Sequence, residues 1–211
     1  MKLPEWLGKY PVLPIINKAM PDEALFIAEA LMAGGVEIME ITLRTDEAKN
    51  SLRSVRKHFP ELILGAGSVI NTKQLDWVQG EGLDFAVAPG WSDECWQKAT
   101  NLNLPFFPGV LSPSELMYAI NAGCMSPKVF PISPMGGIKY LQALMAPFRR
   151  AELTCIPTGG IQQNQVSDYL VDPQVSMVGG SWLTPKDLIN QKNFAGITKL
   201  AKSSLLLANI N

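Results

Sequence analysis

An eight-fold α/β barrel is the fold class predicted for this chain of 211 residues, on three observations. Short apolar runs alternate with longer segments of helical periodicity, about eight such units follow one another, and the runs end in Gly, Pro or Ser. Strands that alternate with helices imply a parallel sheet, and about eight units close it into a (β/α)8, or TIM, barrel. One sizeable core suits this length, so residues 1–211 are expected to form a single compact domain. A doubly wound open sheet is the competing arrangement, but no G-x-G-x-x-G turn follows the first strand, which weighs against a dinucleotide-binding version.

Strands are expected at residues 12–16, 36–42, 62–66, 85–88, 105–108, 128–132, 153–157 and 175–179, all rich in Val, Ile, Phe or Leu. The first helical pattern, residues 21–35, opens with Pro21, Asp22 and Glu23 and closes on Gly34 and Gly35. Proline fits the first helical turn, carboxylates suit its positive end, and glycine ends it. In the second strand side chains alternate faces, so Glu40, Thr42 and Arg44 share one face while Met39, Ile41 and Leu43 share the other. The third strand ends Gly65-Ala66-Gly67-Ser68-Val69 and the fourth Ala86-Val87-Ala88-Pro89-Gly90. Small residues there leave space above a barrel, and Ser68 adds a hydroxyl. The sixth strand carries a single lysine, Lys128, inside the apolar run from Met125 to Pro131. The seventh ends Pro157-Thr158-Gly159-Gly160-Ile161 and the eighth Val178-Gly179-Gly180-Ser181-Trp182.

Composition narrows the partners. Eighteen basic and 19 acidic side chains give a net charge of −1 with no basic block, so nucleic acid is not an expected partner. The opening residues Met1 to Trp6 lack the apolar stretch of a signal peptide and no later run reaches membrane-spanning length, so a cytoplasmic protein without a membrane partner is expected. Cys95, Cys124 and Cys155 are odd in number and widely spaced, which reads as buried free thiols. The single histidine, His58, lies in a polar helical stretch expected to face solvent. With one imidazole and no paired cysteines, neither a metal site nor a cofactor is expected, and the chemistry falls to lysine and carboxylates.

Burial disfavours an ammonium ion, so Lys128 in its apolar strand is a candidate nucleophile for a carbonyl; the alternative is an edge-strand lysine whose head reaches solvent. Arg44 suits a substrate carboxylate, and Glu40, deeper on the same face, suits proton transfer; the alternative is a plain Glu40–Arg44 ion pair at the rim. Glycine pairs let backbone N–H groups converge on an anion, aided by a following helix, and barrels commonly bind phosphate after strands seven and eight; the alternative is that the two pairs only mark turns.

The motifs Glu40-Ile41-Thr42-Leu43-Arg44-Thr45, Gly65-Ala66-Gly67-Ser68-Val69, Lys128-Val129-Phe130-Pro131, Pro157-Thr158-Gly159-Gly160-Ile161 and Gly179-Gly180-Ser181-Trp182-Leu183 resemble those of the 2-keto-3-deoxy-6-phosphogluconate (KDPG) and 4-hydroxy-2-oxoglutarate (KHG) aldolases, in order, over nearly the whole chain. The resemblance implies a homotrimeric (β/α)8 barrel and a class I, Schiff-base aldolase that releases pyruvate. It implies Lys128 as the Schiff-base lysine, Glu40 as an acid/base working through a water, and Arg44 as the ligand of the pyruvate carboxylate. Ser68 stands where the family usually has threonine. Thr158, Pro89 and Phe130 are the other expected substrate contacts, with Gly159, Gly160, Gly179, Gly180 and Ser181 as the phosphate cradle. One departure falls near the distal half of the substrate: the family's Phe-Pro-Ala-Glu is Phe130-Pro131-Ile132-Ser133 here. A phosphate-binding barrel isomerase or synthase, and a barrel that binds a metabolite without turnover, are the competing functions.

Overall fold

The computed structural model describes residues 3–207. The α/β class and the parallel pairing are as expected, with nine strands and nine α-helices among the described residues. The first four units follow the sequence reading closely: β1 (Val12–Ile16), α1 (Pro21–Ala33), β2 (Ile38–Thr42), α2 (Ala48–His58), β3 (Ile63–Gly67), α3 (Thr72–Gly80), β4 (Phe85–Val87) and α4 (Asp93–Asn101). Helix α1 starts and stops on the signals read from sequence. Pro21 occupies its first turn, the Glu23 carboxylate accepts from the Met20 amide at 2.8 Å, and Gly35 beyond its end adopts φ +84°.

The strand expected at 105–108 is two short strands, β5 (Phe106–Phe107) and β6 (Gly109–Val110), with Pro108 between them. Proline has no N–H to give a ladder, so the pairing changes partner there. β5 pairs with β4, β6 pairs with β7 (Lys128–Val129), and the Pro108 carbonyl accepts from the Lys128 amide at 2.9 Å. Helix α5 (Pro113–Asn121) connects β6 to β7 and α6 (Ile138–Met145) leads on towards β8 (Ile156–Pro157). Strands β7 and β8 are shorter than expected because Pro131 and Pro157 stand at or just beyond their ends. Helix α7 (Val166–Leu170), strand β9 (Val178–Gly180), α8 (Lys186–Asn190) and α9 (Phe194–Leu205) complete the order.

The strands form a parallel half-barrel sheet of six, in the order β5-β4-β3-β2-β1-β9, and a parallel sheet of three, β6-β7-β8. Two isolated parallel bridges, Cys155 to Val175 and Thr158 to Gly179, lie between β8 and β9. Strands β1 and β2 are buried along their whole length, consistent with helices on one side and packed interior on the other. The last helix closes on the first: a side chain at Gly34 would meet the Ala201 Cβ at 2.4 Å, and the Thr198 hydroxyl donates to the Ala30 carbonyl at 3.0 Å. All three cysteines are buried free thiols and His58 is exposed, as the sequence reading expects.

Candidate active site

The carboxyl ends of the strands open on a cavity of about 360 Å³. Glu40, Thr42 and Arg44 all line it: the alternation along β2 turns Glu40 and Thr42 towards it, and Arg44 reaches it from the turn that follows the strand. Lys128 and Phe130 reach it from β7 and the residue beyond, Thr158, Gly159 and Gly160 from the end of β8, and Gly179, Gly180 and Ser181 from the end of β9. Groups more than 100 residues apart in the chain are thus brought to one concavity by parallel strand ends.

Lys128 is 5% exposed and Glu40 1%. The Lys128 Nζ stands 4.7 Å from the centroid of the Phe130 ring, whose face attracts a cation without accepting its hydrogen bonds. Burial lowers the pKa of this amine; attraction from Glu40 opposes that, and repulsion from Arg44 adds to it. Burial raises the pKa of Glu40, against the pull of Lys128 and then of Arg44. Neither Glu40 oxygen has a hydrogen-bond partner among the described residues. Two buried charges that served only to neutralise each other would close into contact, because only good geometry offsets their desolvation. Here burial drives both groups towards their neutral forms, which for the amine is the nucleophilic one.

Arg44 lies just past β2, exposed at the rim. Its Nε donates to the Ser68 Oγ at 2.8 Å and its Nη1 to the Asn17 Oδ1 at 3.4 Å. Both partners are neutral, so the guanidinium keeps its full charge and part of its donor fork for an anion. The Glu40–Arg44 rim ion pair is therefore not what forms. Ser68 holds φ +57°, a left-handed conformation uncommon for a residue with a side chain. It does not line the cavity and touches it only through Arg44. Pro89 is exposed and also outside the lining, its carbonyl filling the space beside Gly109, where a Cβ would lie 2.2 Å from it.

Gly159 and Gly160 take φ values of +105° and +80°, which favour glycine. The amides of Gly159, Gly160, Ser181 and Trp182 donate to no backbone acceptor among the described residues. A line of unpaired N–H groups beside glycines is a natural anion nest. The aid expected from a following helix is slight: a 3-10 turn at Gln163–Gln165 comes first, and α7 and α8 have five residues each. Ser133 sits behind the nest, where a Cβ on Gly160 would meet its Cβ at 3.0 Å. Sequence reasoning missed the apolar Ile15 and Ile161 in the lining, and the polar Asn17, Gln162 and Trp182. Asn17 follows β1, so the rule applied to other strand ends finds it; Gln162 and Trp182 flank the two glycine motifs. Among the described residues no group of three or more His, Cys, Asp and Glu could hold a metal ion, and no helix is long and apolar enough to cross a membrane.

A desolvated lysine at the end of a parallel strand, with a free guanidinium and an anion nest around it, defines a class: lyases that add an amine to the carbonyl of an acidic substrate. Comparison with known proteins gives the family. A profile described as "KDPG and KHG aldolase" matches residues 4–200, and the chain belongs to that family. The KHG/KDPG aldolase of Escherichia coli (strain K12) is 40% identical over 195 residues, 92% of this chain and 91% of that protein. The 2-dehydro-3-deoxy-phosphogluconate aldolase of Dickeya dadantii is 39% identical over the same shares. Among solved structures, the KDPG aldolase of Legionella pneumophila, with pyruvate captured as a covalent carbinolamine, superimposes with a TM-score of 0.89 at 37% identity, covering 94% of this chain and 96% of that one. A Zymomonas mobilis KDPG aldolase with 3-phosphoglycerate gives 0.87 at 34%, covering 94% and 92%.

Proposed function

We propose that the chain is a class I aldolase that cleaves a 2-keto-3-deoxy-6-phospho sugar acid to pyruvate and glyceraldehyde 3-phosphate, 4-hydroxy-2-oxoglutarate to pyruvate and glyoxylate, or both. The burial of Lys128, which holds its amine towards the neutral form, carries this reading. The amine adds to the C2 carbonyl, and loss of water from the carbinolamine gives an iminium. As the C3–C4 bond breaks, its electrons flow into the iminium and leave an enamine, while the C4 hydroxyl loses its proton to the Glu40 carboxylate through a water. Glu40 returns a proton to C3, and hydrolysis of the imine frees pyruvate and the lysine. Arg44 holds the carboxylate of the pyruvate half, oriented by Ser68. Phe130 and Thr158 line the substrate, and the nest of Gly159, Gly160, Gly179, Gly180 and Ser181 takes the distal phosphate.

The same reading treats the two sheets as arcs of one (β/α)8 barrel within a single domain. Pro108, which links β5 to β6, and the two bridges between β8 and β9 support closure at both seams. The family resemblance supports a cytoplasmic homotrimer, which the sedimentation mass tests.

Pyruvate release from a panel of 2-keto-3-deoxy acids tests the substrate. The phosphorylated six-carbon acid should exceed its unphosphorylated counterpart by on the order of 10²-fold in kcat/KM, the worth of several hydrogen bonds to a dianion. Gly160→Ala should erase most of that preference and spare imine formation with pyruvate. At φ +80° a Cβ is strained by about 1–2 kcal/mol and presses on Ser133, so the peptide that bears the nest rotates. An unchanged preference in this variant would remove the glycines from phosphate binding.

Arg44→Ala should raise KM for pyruvate-yielding substrates roughly 10- to 100-fold, because it removes a charge-assisted contact with the carboxylate. Ser68→Ala should raise it by less, since it only frees the guanidinium. Equal KM values in all three proteins would exclude this assignment.

A further inference from the structure

We infer that Gly67 is a positioning residue for the proton-transfer step: its lack of a side chain makes the slot in which the Glu40 carboxylate sits. The inference rests on the reading of Glu40 as acid/base. Strands β2 and β3 pair Thr42 with Gly67 and Glu40 with Gly65, which places both glycines beside the long side chains of β2. A Cβ on Gly67 would lie 1.7 Å from the Glu40 Oε1, 2.5 Å from its Cδ and 2.9 Å from its Cγ. The three atoms nearest that missing Cβ all belong to one carboxylic side chain. Gly65 serves a different purpose, since the Phe85 ring fills its space at 2.2 Å as ordinary core packing. Nor does the backbone demand glycine at 67, which is absent from the positive-φ residues. Only the space does.

That space matters because no protein group among the described residues ties the carboxylate down. Both Glu40 oxygens are buried without a protein hydrogen-bond partner among the described residues, so the walls around the carboxylate set its position. The wall at Gly67 is well anchored: its carbonyl accepts from the Leu43 amide at 2.8 Å, which locks β3 to the end of β2. Proton transfer needs the donor and acceptor within hydrogen-bond reach, and a misplacement of about 1 Å can cost roughly 10²-fold. A methyl group at 67 evicts the tip of a flexible side chain rather than backbone, so the chain can still fold while the carboxylate swings towards the cavity.

Gly67→Ala tests this, with turnover, pyruvate trapping and a pH profile measured together. The variant should keep the borohydride-trapped adduct at Lys128 while kcat falls about 10²-fold. Its acid limb should move to lower pH, because a carboxylate displaced into the cavity regains water; Lys128 and Arg44 are the charged groups that act on it, and both favour the ionised form. In the Glu40→Gln background the same change should cost less than about threefold, since a residue acting through Glu40 has nothing left to position. Turnover within about threefold of wild type, or an equal loss in both backgrounds, overturns the inference. If Gly67→Ala fails to fold, Gly67→Ala/Glu40→Ala decides: a folded double variant that still traps pyruvate supports the slot, and an equally unfolded one overturns it. A neutral Gly67→Ala beside an impaired Glu40→Gln sinks Gly67 alone, whereas an unimpaired Glu40→Gln sinks the acid/base reading and this inference with it.

Discussion

Lys128→Met is expected to abolish both the covalent adduct with pyruvate and turnover, the latter by roughly 10⁴-fold or more, as for loss of a nucleophile that no neighbour can replace. The measurement is intact mass after borohydride reduction in the presence of pyruvate. Wild-type protein should gain the reduced pyruvate adduct at Lys128, and a Met variant that still gains it would place the imine on another lysine. The same variant carries a stability signature. Burial depresses the pKa of Lys128 in the folded chain, so its contribution to stability is fully present above the unfolded pKa and is lost as pH falls through the folded one. At neutral pH the unfolded chain holds a proton that the folded site resists. Methionine of similar length has no such penalty, so Lys128→Met should melt a few degrees higher than wild type near neutrality, with the gap closing towards strongly alkaline pH. A lower melting temperature at neutral pH would mean that the amine is held charged and paired.

Glu40→Gln is the second large effect. It should leave trapping of pyruvate at Lys128 intact and slow turnover by roughly 10²–10⁴-fold, the usual worth of a placed acid/base. Single-turnover measurements separate the two: imine formation near the wild-type rate, with the cleavage step slowed. Near-normal turnover would make the carboxylate a structural group. Burial also raises the pKa of Glu40, so its favourable contribution to stability is present when it is protonated and is lost as pH rises through the folded pKa. Glu40 and Lys128 thus both weaken the fold near neutrality, which is where their reactivity is needed.

Part of this site could be read without coordinates. Period-two alternation places Glu40 and Thr42 on one face because a strand has no other option; Arg44, expected on that face too, lines the same cavity from the turn beyond β2. The start and stop of α1 followed from Pro21, Glu23 and the glycine pair, each acting within a turn of itself. The break in the strand expected at 105–108 was not legible, because where Pro108 breaks a ladder depends on which neighbour each half meets. Ser68 and Pro89 show the same limit. Both stand just past the end of a strand, yet Ser68 turns onto Arg44, 24 residues away, and Pro89 packs its carbonyl over Gly109.

By itself the sequence determined most of the order of elements, the apolar setting of Lys128, the shared face of Glu40 and Thr42 on β2 and the two glycine motifs at late strand ends. These are local consequences of periodicity, of proline and glycine geometry, and of the cost of exposing an apolar run. The tertiary structure alone decided that Glu40 has no hydrogen-bond partner among the described residues, that Arg44 leans on Ser68 and Asn17 rather than on a carboxylate, and that the Glu40 side chain fills the space a Cβ at residue 67 would take. Each of those facts is a distance across neighbouring strands. Such distances follow from register and packing, which join residues far apart in the chain and leave no period in the sequence to read.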